Sequence, residues 1–519
     1  MKLLWILLIL ASAFLLRVAS PTLFHEPGSD IPLHIAMPIH LDQAWADRGI
    51  TGLIGQSLRF NHGYSTINTL HLLYGAAFTL AGIPINPFSL AMVHSILGMA
   101  SLLALFLFLT RVVRYRDALF ITLLVSLTPI HVGMSAANAG YQVIKMAAMF
   151  LSFWRLYAWC EAPGPFNRLA YSLTLFFAIG ATSDFFVIPG LNLLLSWWLL
   201  KTPACAEATR KRLWSHGWLW LFCWLPCLVL VGFAVYTHSL GEQVGVLNHL
   251  HTVTSSLSIP KFTPLLTLNN LFMSVGPLAV LSPIALWILI HRSSAPWERI
   301  LMVYWGVMFM TISCSSRADW TAHILNLGTP SLILTYRLLE PFRWGRLALV
   351  LGGIASLILT SLIIFRAGDL PIRKTYGSRS LHETGIEALG QVIRSRQLPV
   401  IQDPHSNKLA LVIDFEGAWF YLGADTEGPG FLSVTTPPAP VTLYVVRPEV
   451  QSSFNLAIAD RVKGWPPLLE IRDGKRVVMQ VFNSQRHPGL GSRDAAALRD
   501  EFWKTYHRTG DFTFSFLGN

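Results

Sequence analysis

The chain is short of charge. Asp, Glu, Lys and Arg make up 13% of its 519 residues, while 53% are hydrophobic. A water-soluble domain carries about 25% charged residues, so a wholly soluble globular protein is excluded. The charges are also unbalanced, 39 basic against 28 acidic, for a formal net charge of +11. That excess does not mark a nucleic-acid surface, because the basic residues sit in short connections between apolar runs, not along one stripe. Cysteine is scarce. Cys160, Cys205, Cys223, Cys227 and Cys314 lie mostly in apolar runs or their connections, and none follows residue 366. This excludes a disulfide framework and a zinc motif. A P-loop and a glycine-rich dinucleotide fingerprint are missing as well.

What is present is a series of apolar runs of spanning length, at 3–20, 87–111, 117–133, 141–160, 168–183, 186–200, 214–236, 266–290, 299–316, 324–338 and 346–366. They predict an α-helical polytopic membrane protein of about 11 transmembrane helices. The first run resembles a signal sequence but is read as a retained span, since no small-residue cleavage site follows it. Segment 64–83 is apolar too. Its polar Asn68, Thr69 and His71, with Pro84 and Pro87 beyond, predict a helix lying on the membrane surface.

Charge placement sets the orientation. One side holds Lys2, Arg111, Arg114, Arg116, Arg168, Lys201, Arg210, Lys211, Arg212, Arg292, Arg299, Arg337, Arg343 and Arg346. The other holds only Arg48, Arg59, Lys261 and Arg317. The positive-inside rule makes the first side cytoplasmic. The N-terminus is then cytoplasmic, and with an odd number of spans the tail lies outside. The expected location is a multi-pass inner membrane protein with a periplasmic C-terminal domain.

Two domains are expected. Residues 1–366 form the transmembrane domain, with a long first outer loop at 21–86. Residues 367–519 form a soluble extracytoplasmic α/β domain. In the tail a helix is predicted over 381–396 and strands over 409–415, 441–446 and 469–482. The last contains a hairpin turn at Arg472-Asp473-Gly474-Lys475. No catalytic motif stands in the tail, whose expected role is gating or docking.

The outer face collects candidate chemistry. The first loop carries His25, Glu26, Asp30, His34, Asp42 and Asp47. Shorter outer segments and their flanks bring His131, Lys145, Arg317, Asp319 and His323 to the same side. A charge inside a membrane helix asks for a partner or a task, which singles out Arg17 and Lys145. A carboxylate can take a proton from an acceptor hydroxyl, and cations can stabilise a departing phosphate.

Four stretches carry a resemblance. Arg17 near the end of the first run precedes Asp30. Tyr64–Ile83 ends in Ala81-Gly82-Ile83-Pro84. Leu109-Thr110-Arg111 is followed by Tyr115-Arg116-Asp117-Ala118-Leu119. A late outer segment reads His323-Ile324-Leu325-Asn326-Leu327-Gly328-Thr329-Pro330. In this order they resemble the GT-C superfamily of polyprenyl-phosphate-dependent glycosyltransferases, in the branch of protein mannosyltransferases and the lipid A aminoarabinose transferase.

The resemblance implies a GT-C-like membrane domain and a reaction in which a sugar leaves a polyprenyl phosphate for an extracytoplasmic lipid, glycan or protein acceptor. It implies Asp30 as the catalytic base; the placement of Arg17, His34, Lys145, Asp184, Arg317 and His323 makes them candidates for contacting the substrate and its phosphate. No cofactor is expected and no metal site is indicated. The departures are specific. The family's Asp-Glu pair is Asp30-Ile31, Met134–Gly140 contains no acid, and Ser183-Asp184 stands where relatives carry Thr-Lys. A membrane transporter or lipid flippase, or a non-catalytic envelope assembly protein, are the alternatives.

Overall fold

In a computed structural model the described residues are 2–18, 41–42, 44–53, 73–83, 87–135, 140–162, 164–179, 187–201, 262–292, 295–314, 324–362, 389, 410–413, 442–448, 453–473 and 476–483. The chain divides into two compact units. One is Met1–Ser20 with Met37–Ala367, and the other is Pro21–Ala36 with Gly368–Asn519.

The first unit is helical. Its helices are α1 (Lys2–Val18), α2 (Pro87–Val112), α3 (Tyr115–Ser126), α4 (Pro129–Gly133), α5 (Gly140–Glu161), α6 (Pro165–Ile179), α7 (Val187–Leu200), α8 (Pro264–Val275), α9 (Ser282–Ile290), α10 (Pro296–Ser313), α11 (Ile324–Leu339) and α12 (Arg343–Ser361). A π-helical stretch covers Gly75–Leu80. Among the described residues, Met92–Val112 and Arg343–Ser361 are each long and apolar enough to cross a bilayer. Leu3–Val18, Val187–Leu199 and Pro277–Ile290 are shorter apolar helices.

The outward faces of the helices are apolar, unlike those of a water-soluble bundle. Leu347, Val350, Leu351, Ile354 and Ile358 of α12 are exposed, as are Phe166, Leu169 and Leu173 of α6 and Leu3, Leu4 and Leu7 of α1. Apolar faces this extensive would drive association in water, whereas lipid solvates them. The interior, in contrast, holds Arg17, His94, His131, Lys145, Asn192 and Asn326, all buried.

Helix α11 is the axis of the unit. It packs against α3, α4, α5, α8, α9, α10 and α12, and every residue from Ile324 to Tyr336 is buried. Close approach needs a missing side chain: a Cβ on Gly328 would lie 2.4 Å from Val275 Cγ2 of α8. Polar bonds tie the axis to its neighbours. Trp305 Nε1 donates to Ser331 Oγ at 2.8 Å, and Thr335 Oγ1 donates to the Leu278 carbonyl at 3.1 Å.

Two apolar runs that the sequence presents as continuous are interrupted. Run 117–133 breaks at Leu127 and Thr128. Pro129 has no N–H to extend a helix, so it opens α4 at its first turn, where the Thr128 side chain accepts from the His131 N–H. Run 266–290 breaks at Gly276, whose φ of +114° disfavours any residue with a Cβ, and continues as a 3₁₀ turn at Pro277–Leu281 before α9. Each break frees a backbone carbonyl, and α12 satisfies both. Ser356 Oγ donates to the Val275 carbonyl at 3.1 Å, and Thr360 Oγ1 donates to the Leu127 carbonyl at 2.5 Å.

The second unit contains a four-stranded sheet in the order β1-β2-β4-β3, formed by β1 (Ala410–Ile413), β2 (Thr442–Val446), β3 (Leu469–Asp473) and β4 (Arg476–Asn483). β1 runs parallel to β2, and the β2–β4 and β3–β4 pairs are antiparallel. The β3–β4 pair flanks the expected hairpin turn, with Asp473 opposite Arg476. Of the expected 381–396 helix only Leu389 is described, and it is helical. Helix α13 (Ser453–Arg461), which the sequence reading does not mark, packs on β1 and β2. Its Ile458, with Val462 one turn on, joins Tyr444, Val446 and Phe482 in a small core.

Two outcomes test this description. Gly328→Ala should destabilise the bundle by about 1–3 kcal/mol through overpacking, and adding Val275→Ala should restore most of the loss. Thermal unfolding of the four-member cycle in nanodiscs measures both. In the sheet, Gln480 and then Arg472 hydrogen-bond Glu470 and hold its carboxyl below the ordinary carboxylate range. A depressed folded-state pKa stabilises above the ordinary range and is lost as pH falls through the lowered value. Amide exchange of β3 and β4 should therefore gain less from acidification in Glu470→Gln than in the unaltered chain.

Candidate functional site

Arg17 lies one residue from the end of α1 and is fully buried. Its Nε donates to Ser135 Oγ at 2.5 Å, NH1 to the Ala13 carbonyl at 2.6 Å, and NH2 to the Ser126 carbonyl at 3.4 Å and to His131 Nδ1 at 2.5 Å. A guanidinium can only donate, so His131 Nδ1 is an acceptor and the neutral imidazole carries its proton on Nε2. That N–H faces Ser101 Oγ at 3.0 Å, and Ser101 in turn donates to the Gly98 carbonyl at 2.7 Å. Ser135 Oγ donates to the His131 carbonyl. The network joins α1, α2, α3 and the α4 segment through four guanidinium hydrogen bonds and the His131–Ser101 contact. A Cβ on Gly98 would fall 2.3 Å from Ser135 Cβ, so only glycine admits the cluster.

Among the described residues no carboxylate pairs with Arg17. Its compensation comes from backbone. Ser126 is the last residue of α3, whose C-terminus presents about half a negative charge, and Ala13 lies one turn before Arg17 within α1. The same contacts put the C-terminal ends of α1 and α3 together on one side of the bundle. The sequence reading expects Arg17 to meet a loop carboxylate or a phosphate. Among the described residues its partners are neutral groups of the bundle, and the loop that carries Asp30 lies outside them.

A second buried pair lies nearby in sequence. Tyr74 Oη and His94 Nε2 meet at 2.5 Å, with their rings stacked 5.9 Å apart. Tyr74 directly precedes the π-helical stretch, where the Ala81 N–H reaches back five residues to the Ala76 carbonyl. Such widened turns recur at functional sites. Lys145 is 2% exposed on α5, one turn on from Gln142. Gln142 Oε1 accepts from Asn326 Nδ2 of α11.

The carboxylates among the described residues of this unit are placed differently. Asp117 accepts from Tyr336 at 2.6 Å, and Glu161 pairs with Arg111 at 2.5 Å. Glu298 caps α10 through the Ala295 N–H and binds Arg337 at 2.7 Å, while Glu340 lies 3.8 Å from Arg337. These four brace helix ends through ion pairs, a capping bond and, for Asp117, a hydrogen bond from a tyrosine hydroxyl. Asp42 and Asp47 are exposed, on the helical residues 41–42 and 44–53. No three His, Cys, Asp or Glu side chains gather as a metal ion would need, among the described residues.

Of the residues singled out from sequence, Arg17 and Lys145 are therefore placed, both buried in the first unit. Asp30, His34, Asp184, Arg317 and His323 lie outside the described residues. Ser101, Ser135, Tyr74 and His94 are site features that sequence reasoning missed. The available signal was polarity inside apolar runs: Ser101 and His94 interrupt α2, and His131 follows the Thr128-Pro129 break.

No protein-family model matches the chain, and no curated protein is similar to it. Solved structures are informative. ArnT from Cupriavidus metallidurans bound to undecaprenyl phosphate superposes with a TM-score of 0.58 at 13% identity, covering 92% of this chain and 98% of that one. ArnT in the apo state gives 0.54 at 13% identity, covering 92% and 97%. The chain has the GT-C fold of ArnT. It is thus a helical polytopic membrane protein with an appended α/β unit. The archaeal oligosaccharyltransferase AglB from Archaeoglobus fulgidus, complexed with an inhibitory peptide and a dolichol-phosphate, matches with a TM-score of 0.47 at 12% identity. That match covers 82% of this chain and 64% of AglB, so the chain spans less than two thirds of AglB's length. The ArnT likeness fixes architecture, and at this identity it transfers no residue role.

The Arg17 cluster makes a prediction of its own. Arg17→Met leaves His131 Nδ1, Ser135 Oγ and the Ser126 carbonyl without the guanidinium donor, and should cost about 1–3 kcal/mol of stability for a buried acceptor left unmet. Arg17→Lys keeps the charge but cannot reproduce the fork, and should recover only part of it. Chemical denaturation in detergent micelles, followed by tryptophan fluorescence, reads the order; equal stability of the three proteins would refute the network.

Proposed function

We propose that the chain is an integral membrane glycosyltransferase that moves a sugar from a polyprenyl-phosphate donor to an extracytoplasmic acceptor. The observation that carries this reading is the ArnT fold, matched across nearly the full length of both chains, with undecaprenyl phosphate bound in the solved ArnT structure. A fold alone hosts many chemistries. The reading gains support from Lys145, a cation buried in the membrane unit where charge rarely persists without a task.

In this scheme Asp30 accepts the proton of an acceptor hydroxyl. The freed oxygen attacks the anomeric carbon and the bond from that carbon to the phosphate oxygen breaks. The sugar is transferred with inversion, and polyprenyl phosphate leaves with the electron pair. Lys145, Arg317 and His323 oppose the charge growing on the phosphate, with His34 and Asp184 lining the substrate. Arg17 acts as a positioning residue, holding the ends of α1 and α3 where the chain enters the loop that carries Asp30. A cation about 5 Å from the leaving oxygen, at an effective dielectric of about 20, contributes roughly 3 kcal/mol. The chain lies in the bacterial inner membrane with its C-terminal unit periplasmic. The acceptor is a lipid, a glycan or a protein.

The interrupted runs at Leu127 and Gly276 give one observation to the rival reading, because transporters and flippases use broken helices. The two readings separate in one assay. Membranes receive radiolabelled polyprenyl-phosphate sugars and an envelope extract as acceptor. The unaltered chain should transfer label, and Asp30→Asn, inserted to the same level, should transfer about 10²–10⁴-fold less. Equal transfer by both keeps the enzyme and moves the base to Asp184 or Glu26. No transfer from any donor, with lipid translocation in sealed vesicles, establishes the flippase instead.

A further inference from the structure

The α5–α11 seam contains an unpaired polar atom that the bundle does not explain. Asn326 is 2% exposed, and its Oδ1 has no hydrogen-bond donor. Its Nδ2 donates to Gln142 Oε1 across the seam. Rotating both amides by half a turn reverses that bond and leaves an unpaired Nδ2 in place of Oδ1. In either orientation one amide group stays unmet, at a cost of about 1–3 kcal/mol. The cost is not forced by packing. On the same helix Thr329 is also buried, and it bonds the Leu325 carbonyl at 3.1 Å. Leucine at 326 would remove the penalty while filling a similar volume.

The surroundings indicate the chemistry of the missing partner. A hydroxyl both donates and accepts, so it satisfies Asn326 in either amide orientation. Gln142 is only partly buried, so the seam opens at its edge. Lys145 lies one turn further along α5 and supplies a positive charge. Gln142 and Asn326 each stand near the first residue of their helix, Gly140 and Ile324. A ligand fitting this set carries hydroxyls beside an anionic group.

We infer that Asn326 and Gln142 read a hydroxyl of the sugar on the lipid-linked donor, beside Lys145, and so set which sugar the protein accepts. The inference rests on the glycosyltransferase reading above. Asn326 and Gln142 determine specificity and carry out no bond-making step. A site built to pair a buried polar group with a substrate hydroxyl rejects the analogue that lacks it, because its own group is then left unmet.

The test uses the full chain in nanodiscs and a set of undecaprenyl-phosphate hexoses with the corresponding single deoxy analogues. The unaltered protein should prefer the full hexose over one of the deoxy analogues. Asn326→Leu and Gln142→Leu should each reduce that preference about tenfold, mainly by lowering kcat/KM for the full hexose. Binding of sugar-free undecaprenyl phosphate should not change. Thr329→Val, a control in the same helix, should leave the preference intact. If Asn326→Leu lowers transfer of every donor by the same factor, or alters none, the subsite is wrong while the enzyme reading stands. If the unaltered protein binds undecaprenyl phosphate yet transfers no sugar from any donor, the enzyme reading falls and takes the subsite with it.

Discussion

A permanent positive charge buried at the end of the first helix constrains the membrane unit. Arg17 cannot shed its proton and cannot reach water, so the bundle must bring acceptors to it. It does so without a carboxylate among the described residues, using one carbonyl of its own helix, the C-terminus of α3, one serine and one imidazole held in a single tautomer. Each acceptor comes with a demand. The Ser126 carbonyl is available because α3 stops there. His131 is in reach because Pro129 restarts the chain as α4. Ser135 fits because Gly98 has no side chain. The bend between α3 and α4 and the buried charge are thus one feature seen from two sides.

This arrangement separates the groups that hold the unit together from those available for chemistry. Asp117, Glu161, Glu298 and Glu340 are engaged in bracing helix ends. The Arg17 guanidinium is held by four hydrogen bonds within the bundle. Asn326, by contrast, keeps an unmet group inside a well-packed helix. Thr79 Oγ1 and Ser95 Oγ are buried without a hydrogen-bond partner as well, but a hydroxyl loses less by this than an amide facing a second amide across a helix seam.

Much of the helical architecture was legible in the sequence, because lipid selects for length and apolarity and both are read directly. The run at 87–111 became Pro87–Val112, 141–160 became Gly140–Glu161, and 324–338 became Ile324–Leu339. The strands of the tail were legible from their β-branched residues and the hairpin signal. The breaks were not. Periodicity and hydropathy run through Leu127 and Gly276 unchanged, and only Thr128-Pro129 and Gly276-Pro277 hinted at them. Helix α13 escaped because nine residues with one inward stripe give too little pattern. Of the candidate site, the sequence marked Arg17 and Lys145 as charges in apolar runs. It could not show that Arg17 turns inward to His131, more than a hundred residues away, nor that Gln142 meets Asn326. Such pairings depend on how helices dock, which no local pattern encodes.

The two bonds made by α12 bear on how the protein is built. The carbonyls of Val275 and Leu127 are freed by the breaks in two earlier segments, and their side-chain donors, Ser356 and Thr360, belong to a helix synthesised later than both. Until that helix enters the bilayer, each bend carries a bare peptide oxygen in or near hydrocarbon, where water is not at hand to solvate it. Closure of both bends therefore waits on α12, the last described helix of the membrane unit.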